Sequence, residues 1–150
     1  QDYNQRQPID LNGLKNLTKL QELEINTEPV NLEPLRNLTE LRSLRIQAQN
    51  SETTSLSLSP LSGLTKLTDL DFSGSIQNGD LSPLSGLTEL RALQIYHQSW
   101  NGGNSNSYTY IRDLSPLSGL TKLNSLDISG AAEGIDTSPV SHVADCNIRE

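Results

Sequence analysis

The sequence predicts a right-handed solenoid of the α/β class: a horseshoe with a parallel β-sheet on its concave face and short 3₁₀ or α turns on its convex face. Two observations predict it. The octapeptide LSPLSGLT occurs three times, starting at Leu58, Leu81 and Leu114. Each copy leads into a segment whose apolar residues alternate with polar ones, as in a strand with one buried face. One turn and one strand cannot bury their leucines alone, so stacked copies must share a core.

Looser copies of the octapeptide extend the repeat in both directions. They are LNGLKNLT at 11–18, LEPLRNLT at 32–39 and TSPVSHVA at 137–144, and the six starts lie 21, 26, 23, 33 and 23 residues apart. A period in the low twenties with the pattern L-x-x-L-x-x-L-x-x-L-x-L is the signature of a leucine-rich repeat. We therefore predict a single domain over residues 1–150, with about five full repeats and a degenerate closing repeat from about residue 135.

Each repeat contains a turn followed by a strand. In SPLSGLTKL the apolar residues recur at every third position, which suits one tight 3₁₀ or α turn. A proline near the start of such a turn loses no hydrogen bond, because its missing N–H would be unpaired there. The pattern L-x-x-L-x-[LIF] then predicts five strands within residues 20–25, 41–46, 67–72, 90–95 and 123–128.

The charge and composition exclude several classes of function. A net charge of −7 argues against a nucleic-acid partner and against an anionic membrane surface. No apolar run is long enough for membrane insertion, and the start of the chain does not resemble a signal peptide. The chain contains no Met, so we expect a processed protein or part of a longer one. The single cysteine, Cys146, permits no intrachain disulfide, and we expect it to be a small buried residue of the closing repeat.

The titratable residues do not suggest catalysis. Asp69 and Asp71 share one strand face ~7 Å apart, but calcium requires six to eight oxygen ligands at close range, and solvated surface charge is the simpler interpretation. His142 replaces the glycine of SGLT, so we expect a structural role on the turn. His97 lies at the root of the longest insertion, where it can offer a polar contact. We predict that the protein is not an enzyme and has no metal site or cofactor.

Certain motifs resemble those of bacterial internalin-type leucine-rich-repeat proteins. They are DLSPL at Asp80–Leu84 and Asp113–Leu117, each followed by SGLT and then L-x-x-L-x-I, and the resemblance covers Ile9 to Ile148. The ending IDTSPVSHVADCNIRE resembles the truncated last repeat of many such proteins. The resemblance implies a secreted or cell-surface bacterial protein that binds other proteins.

Two departures from this family pattern raise structural questions. The family usually has asparagine three positions after the last apolar residue of the strand, whereas this chain has Glu28, Gln49, Ser75, Gln98 and Ala131. Either glutamines bridge the coils less regularly, or the coils turn differently there. Only QDYNQRQP precedes the first repeat, and a solenoid needs caps. We expect either that the protein continues upstream or that the chain end folds over the first coil.

The polar residues of the strands predict a concave binding surface made of three ladders. The middle ladder is Glu24, Arg45, Asp71, Gln94 and Asp127; the flanks are Glu22, Ser43, Asp69, Ala92, Ser125 and Asn26, Gln47, Ser73, Tyr96, Ser129. Adjacent strands lie about 4.8 Å apart, so Arg45 should lie between Glu24 and Asp71 and partly neutralise both. The surface is therefore acidic with one basic interruption.

The two long repeat periods predict insertions, Gln47–Ser55 and Tyr96–Tyr110, that leave the same edge of the sheet two coils apart. The second insertion combines Tyr96, Trp100, Tyr108 and Tyr110 with His97 among glycine, serine and asparagine, a mixture that antibody loops use for contact. We predict that these five residues and the middle ladder bind the partner. Alternatively, the aromatic residues cover the solenoid rim, with Tyr96 and Tyr110 as anchors.

Three functions remain open from the sequence. The first is a protein–protein interaction module, which we expect to be a monomer. The second is a glycan-binding module, or adhesin, in which Trp100 and Tyr108 stack on sugar rings. The third is a purely structural segment of a larger surface protein.

Overall fold

Six parallel strands form one open sheet in chain order, which confirms the predicted solenoid. The computed structural model describes residues 8–27, 29, 31–48, 55–98 and 109–150. We number a coil, consisting of a turn and the strand after it, by its strand. The strands are β1 Glu22–Ile25, β2 Ser43–Gln47, β3 Asp69–Gly74, β4 Ala92–His97, β5 Ser125–Ser129 and β6 Asp145–Arg149.

A short 3₁₀ turn precedes every strand. These turns are Asn12–Leu14, Glu33–Leu35, Ser59–Leu61, Ser82–Leu84, Ser115–Leu117 and Ser138–Val140, and a further turn at Gln77–Gly79 follows β3. Five of them carry the predicted proline near the start. The aspartate of DLSPL has a clear role: the Asp113 carboxylate accepts a hydrogen bond from the Ser115 N–H at 2.8 Å. That bond, with one from the Ser115 hydroxyl, lowers the pKa of Asp113.

The core consists of leucine rows that run through the whole stack. Leu44, Leu70, Leu93 and Leu126 pair in one row of the sheet and are all buried. Phe72 lies in the parallel row and is fully buried between Ile46 and Ile95. Each coil therefore covers the apolar residues of the one before, as expected of a solenoid.

The closing repeat contains a complete sixth strand that the sequence analysis did not predict. In β6, Cys146 pairs with Leu126 and so occupies the core row, yet it is exposed. The prediction of a buried cysteine is therefore wrong, because β6 forms the outer edge of the sheet and only β5 packs beside it. Desolvation, and next the charge of Asp145, raise the pKa of the Cys146 thiol.

Backbone pairing, rather than an asparagine ladder, joins the segments that follow the strands. Leu56, where the first insertion returns, forms a parallel bridge with Ile76 of the next coil. Ile111, where the second insertion returns, pairs in the same way with Ala131. The Ile111 N–H donates to the Gly130 carbonyl at 3.0 Å, and the Ala132 N–H donates to the Ile111 carbonyl at 2.8 Å. These bonds support the expectation that the coils turn differently where asparagine is missing.

Two ion pairs and the two insertions link coil 2 to coil 3 and coil 4 to coil 5. In the turns that lead into the strands, Lys66 of coil 3 contacts Glu40 of coil 2 at 2.8 Å, and Lys122 of coil 5 contacts Glu89 of coil 4 at 2.7 Å. The sequence shows the same alternation: coils 1, 3 and 5 contain LTKL, whereas coils 2 and 4 contain LTEL. Because the insertions of coils 2 and 4 also return onto coils 3 and 5, we call coils 2–3 and coils 4–5 the two-coil units.

Candidate functional site

The concave face presents the three predicted ladders in the predicted register. Glu24 pairs with Arg45, Arg45 with Asp71, Asp71 with Gln94, and Gln94 with Asp127. Strand β6 extends the three ladders by Asp145, Asn147 and Arg149. The alternation in DCNIR could have predicted this strand, since its polar residues occupy the same positions as those of LDIS.

Carboxylates outnumber basic groups on this face. The strands present Glu22, Glu24, Asp69, Asp71, Asp127 and Asp145 against Arg45 and Arg149. Arg45 Nε lies 3.4 Å from Asp71 Oδ2, and Arg149 Nη2 lies 2.6 Å from Asp127 Oδ1. Glu24 instead accepts a hydrogen bond from the Asn26 amide at 3.0 Å. Arg45 therefore forms its ion pair with Asp71, and the face remains acidic.

A polar network holds Arg45 on the N-terminal side of Asp71. Arg45 has only donors, and the neighbouring Asn26 presents its amide oxygen, so the Gln47 amide must turn its oxygen towards Arg45. In that orientation the Gln47 oxygen accepts from Arg45 Nε at 3.0 Å and from Nη2 at 2.8 Å. Its nitrogen donates to Asn26 Oδ1 at 3.2 Å. Contacts with both Asp71 and Gln47 thus hold Arg45 on the concave face.

A depression of about 460 Å³ lies at the centre of the sheet. Ala92 forms its floor, because this ladder has a methyl group between Asp69 and Ser125. Residues of the neighbouring ladder also line it: Arg45, Asp71, Gln94 and Asp127. The sequence analysis named these residues without predicting the depression, although one alanine among polar residues was the available signal.

Asp71 is the carboxylate in this depression whose ionisation is disfavoured. Partial burial raises the pKa of Asp71 most, and the charge of Glu24 raises it further, whereas Arg45 lowers it. The nearby Gln94 amide is exposed to solvent. The depression is therefore lined by more carboxylates than arginines, beside the exposed amide of Gln94.

Tyr96 belongs to the concave face and not to the rim. It lies within β4, paired with Ser73 and Ser129, and 50% of its surface is exposed. The prediction that Tyr96 anchors the insertion to the rim is wrong, because the strand is longer than expected and alternation turns this side chain outward. Two small serines leave the ring uncovered on both sides.

His97 points the opposite way and is 4% exposed. Its Nδ1 accepts a hydrogen bond from the Ile76 N–H at 3.1 Å, and its Nε2 donates to the Thr109 carbonyl at 2.8 Å. Burial lowers the pKa of His97, partly offset by the bond to Thr109. Both ring nitrogens are engaged, so His97 has no polar atom left for a partner. The ring instead joins coil 3 to the return of the second insertion.

Two glycines make room for the second insertion. Gly130, with φ +92°, faces the end of β4, and a Cβ there would overlap the His97 carbonyl oxygen. Gly79, with φ +60°, faces the return segment, and a Cβ there would overlap the Tyr110 carbonyl oxygen. Both positions therefore need glycine.

Tyr110 is half-buried at this return point. The Arg112 guanidinium carbon lies 5.8 Å from the centre of its ring, within the range of a cation–π contact. Trp100 and Tyr108 lie outside the described residues. Of the predicted aromatic site, the structure thus places Tyr96 on the concave face and Tyr110 at the rim.

Other candidate chemistry receives little support from the described residues. Within them, no group of three or more His, Cys, Asp or Glu side chains could hold a metal ion. His142 lies on its turn with Nε2 3.0 Å from the Leu120 carbonyl, in keeping with the structural role expected for it. None of the helices that the structure describes has the length and apolar character needed to cross a membrane.

Comparison with solved structures identifies the type of solenoid. An internalin (inlF) from Listeria monocytogenes is 27% identical, with a TM-score of 0.55 over 93% of this chain and 43% of that one. Internalin C2 (inlC2) from the same organism is 20% identical, with a TM-score of 0.44 over 94% of this chain and 76% of that one. No protein-family model and no curated protein matches the sequence. The chain spans less than half the length of the first protein, and it has an internalin-like leucine-rich-repeat fold.

Proposed function

We propose that this chain is a non-catalytic protein-interaction module that binds a protein partner through the concave face of its sheet. The observation that supports this proposal is the face itself: an acidic polar surface with a central depression and the exposed ring of Tyr96. A rigid sheet presents these side chains without further ordering, which lowers the entropy cost of binding.

The arrangement of the carboxylates favours binding over catalysis. General acid–base catalysis needs a carboxylate or imidazole placed in a site that excludes water. The concave carboxylates lie on an open sheet face, and the buried imidazole of His97 is engaged on both nitrogens. The similarity to an internalin, a leucine-rich-repeat protein, supports the same function and a secreted or cell-surface location.

Selection followed by mutagenesis tests the binding face. The immobilised chain is used to select from a displayed library of folded extracellular domains, and the dissociation constant of each purified pair is measured. Gln94→Arg places a bulky group at the centre of the concave face, while Ser118→Arg makes the matched change on an exposed turn. We expect Gln94→Arg to weaken binding at least about tenfold and Ser118→Arg to leave it unchanged. Equal effects of the two variants would contradict the proposed face.

Glycan binding is the second candidate, and the exposed Tyr96 ring favours it. An aromatic ring between two serines is a platform on which a sugar ring can stack, and Gln94 lies two residues away on the same face. A glycan array probed with the wild-type chain and with Tyr96→Ala tests this candidate. Binding that is lost in Tyr96→Ala would support it, and an array without any bound glycan would remove it.

A further inference from the structure

The centre of the concave face has the charge and shape to receive a cation. Asp71 and Asp127 lie on β3 and β5, two strand spacings or about 10 Å apart, with Gln94 between them. Their own guanidinium partners approach from the outside: Arg45 from β2, where Gln47 also binds it, and Arg149 from β6. Both carboxylates line the depression above Ala92, and Arg45 also lines it beside Asp71.

We propose that this depression receives a basic side chain of the partner, best matched by the guanidinium group of an arginine. This inference rests on the proposed binding through the concave face. A guanidinium group carries donors on opposite edges, so a single group can donate to carboxylates on both sides of it, here Asp71 and Asp127. The oxygen of the Gln94 amide supplies a third acceptor at the centre.

Charge complementarity points to a basic occupant in preference to a neutral one. The face carries the six carboxylates and two arginines described above, and both arginines are already paired. A third cation would offset the charge that Asp71 now bears against partial burial and against Glu24. A metal ion fits less well, because Ca²⁺ needs six to eight oxygens at 2.3–2.6 Å. Among the described residues, no group of three or more His, Cys, Asp or Glu side chains could hold such an ion.

Tyr96 adds a second element of recognition. It follows Gln94 on the same face of β4, about 7 Å further along the strand. Its ring is half exposed and stands between small serines, so it can stack on the stem or the guanidinium plane of the same basic side chain. Arginine, with its flat group, uses such a ring better than lysine does.

A titration followed by NMR tests the inference with a defined probe. The ¹⁵N-labelled chain is titrated with the blocked tripeptide acetyl-Gly-Arg-Gly-amide and with the same peptide carrying citrulline, a neutral group of the same shape. We expect the arginine peptide to shift the amides around Ala92, Gln94 and Ser125 and to bind at least about tenfold more tightly than the citrulline peptide. Equal responses to the two peptides, or shifts confined to other parts of the chain, would overturn the inference.

Three variants sharpen the test. The pair Asp71→Asn with Asp127→Asn should reduce the affinity for arginine at least about tenfold, whereas neutralising the exposed Glu133 by Glu133→Gln should leave it unchanged. Ala92→Arg supplies a guanidinium group within the depression and should abolish the response while the chain still unfolds cooperatively. An Ala92→Arg chain that binds the arginine peptide like the wild type would refute the proposed location.

The failure of this inference can be separated from the failure of the proposed function. If Gln94→Arg weakens a selected protein partner but the arginine peptide does not bind, the concave face binds proteins by other chemistry and only this inference fails. If the arginine peptide binds at Ala92 but no protein partner depends on the face, the proposed function fails. Selected partners that lack a basic residue at the contact would also overturn the inference.

Discussion

The imidazole of His97 is held in one tautomer by its two hydrogen bonds. The Ile76 N–H donates to Nδ1, so the ring proton must lie on Nε2, from which it reaches the Thr109 carbonyl. A second proton, on Nδ1, would point at the Ile76 N–H and break that bond. Burial also opposes the charged form, and both effects keep the ring neutral.

This constraint predicts a pH-dependent stability. Because the pKa of His97 is lowered in the folded protein, the unfolded chain takes up the proton first as the pH falls. The contribution is fully present above the ordinary histidine pKa of about 6.5 and is lost as the pH falls below it. His97→Gln should weaken this dependence, since an amide has an acceptor and a donor but does not titrate. The free energy of unfolding in urea, measured between pH 5 and pH 7.5, provides the check.

The second histidine provides the control for that experiment. His142→Gln makes the same substitution on an exposed turn and is the matched control for replacing a histidine by glutamine. A His97→Gln chain with the same pH dependence as the wild type would show that His97 is not the responsible group.

Gly130 is a second residue whose substitution should change the stability of the protein. Its φ is positive, and the methyl group of an alanine there would overlap the His97 carbonyl oxygen, so Gly130→Ala must distort the end of β4. We expect a loss of about 2–4 kcal/mol in the free energy of unfolding. Gly63→Ala is the matched control, because nothing lies within 4 Å of its added Cβ. Similar losses in the two variants, measured by urea denaturation, would refute the steric argument.

The strands and turns were largely predictable from the sequence, because a short local pattern of apolar and polar residues specifies each of them. Alternation in segments such as LTDLDF places Leu70 and Phe72 inward and Asp69 and Asp71 outward, and pairing in register then builds the ladders. The strand ends were harder to predict. At Tyr96 and His97 alternation continues into the insertion and turns the tyrosine outward and the imidazole inward, where Gly130 leaves room for it.

The outer face of strand β3 yields a third prediction. The raised pKa of Asp71 means that its charged form is less favourable in the folded protein than in the unfolded chain. Its contribution to stability is therefore best at low pH and is lost as the pH rises through its titration. Asp71→Asn should raise the midpoint of thermal unfolding at pH 7, even though it removes the contact with Arg45. A lower midpoint would show that the contact with Arg45 outweighs desolvation.

Across the whole molecule, the charged side chains and the insertions alternate between even-numbered and odd-numbered coils, in keeping with the two-coil units. Coils 2 and 4 carry Glu40 and Glu89 and both insertions, while coils 3 and 5 carry the lysines that pair with them. The segments after their strands also differ, with Ala48 and His97 in even coils beside Gly74 and Gly130 in odd coils. The repeat spacing predicted the solenoid, but this alternation becomes apparent only when neighbouring coils are seen in contact.

Deleting coils tests the alternation. Deletion of residues 58–113 removes coils 3 and 4, so Glu40 again faces a lysine, Lys122, and Leu56 can pair with Ala131. Deletion of residues 58–80 removes coil 3 alone, which places Glu40 beside Glu89 and Ala48 beside His97 without an intervening glycine. We expect the single deletion to be the less stable chain, although it keeps one coil more. The free energy of unfolding of both chains, measured in urea, provides the check. A single deletion that is more stable than the double deletion would contradict the two-coil unit.

The octapeptides at 58–65, 81–88 and 114–121 are identical, so recombination between copies can add or remove whole coils. The alternation between even and odd coils limits which of these changes keep the contacts between neighbouring coils. Recombination between neighbouring octapeptides shortens or lengthens the chain by one coil. It therefore places two glutamates or two lysines in adjacent coils. Exchange between the first and third copies changes it by two coils and keeps a lysine beside Glu40 and a glycine beside Ala48. Descendants of this protein should therefore differ in length by even numbers of coils, each change adding or removing one insertion on the same edge.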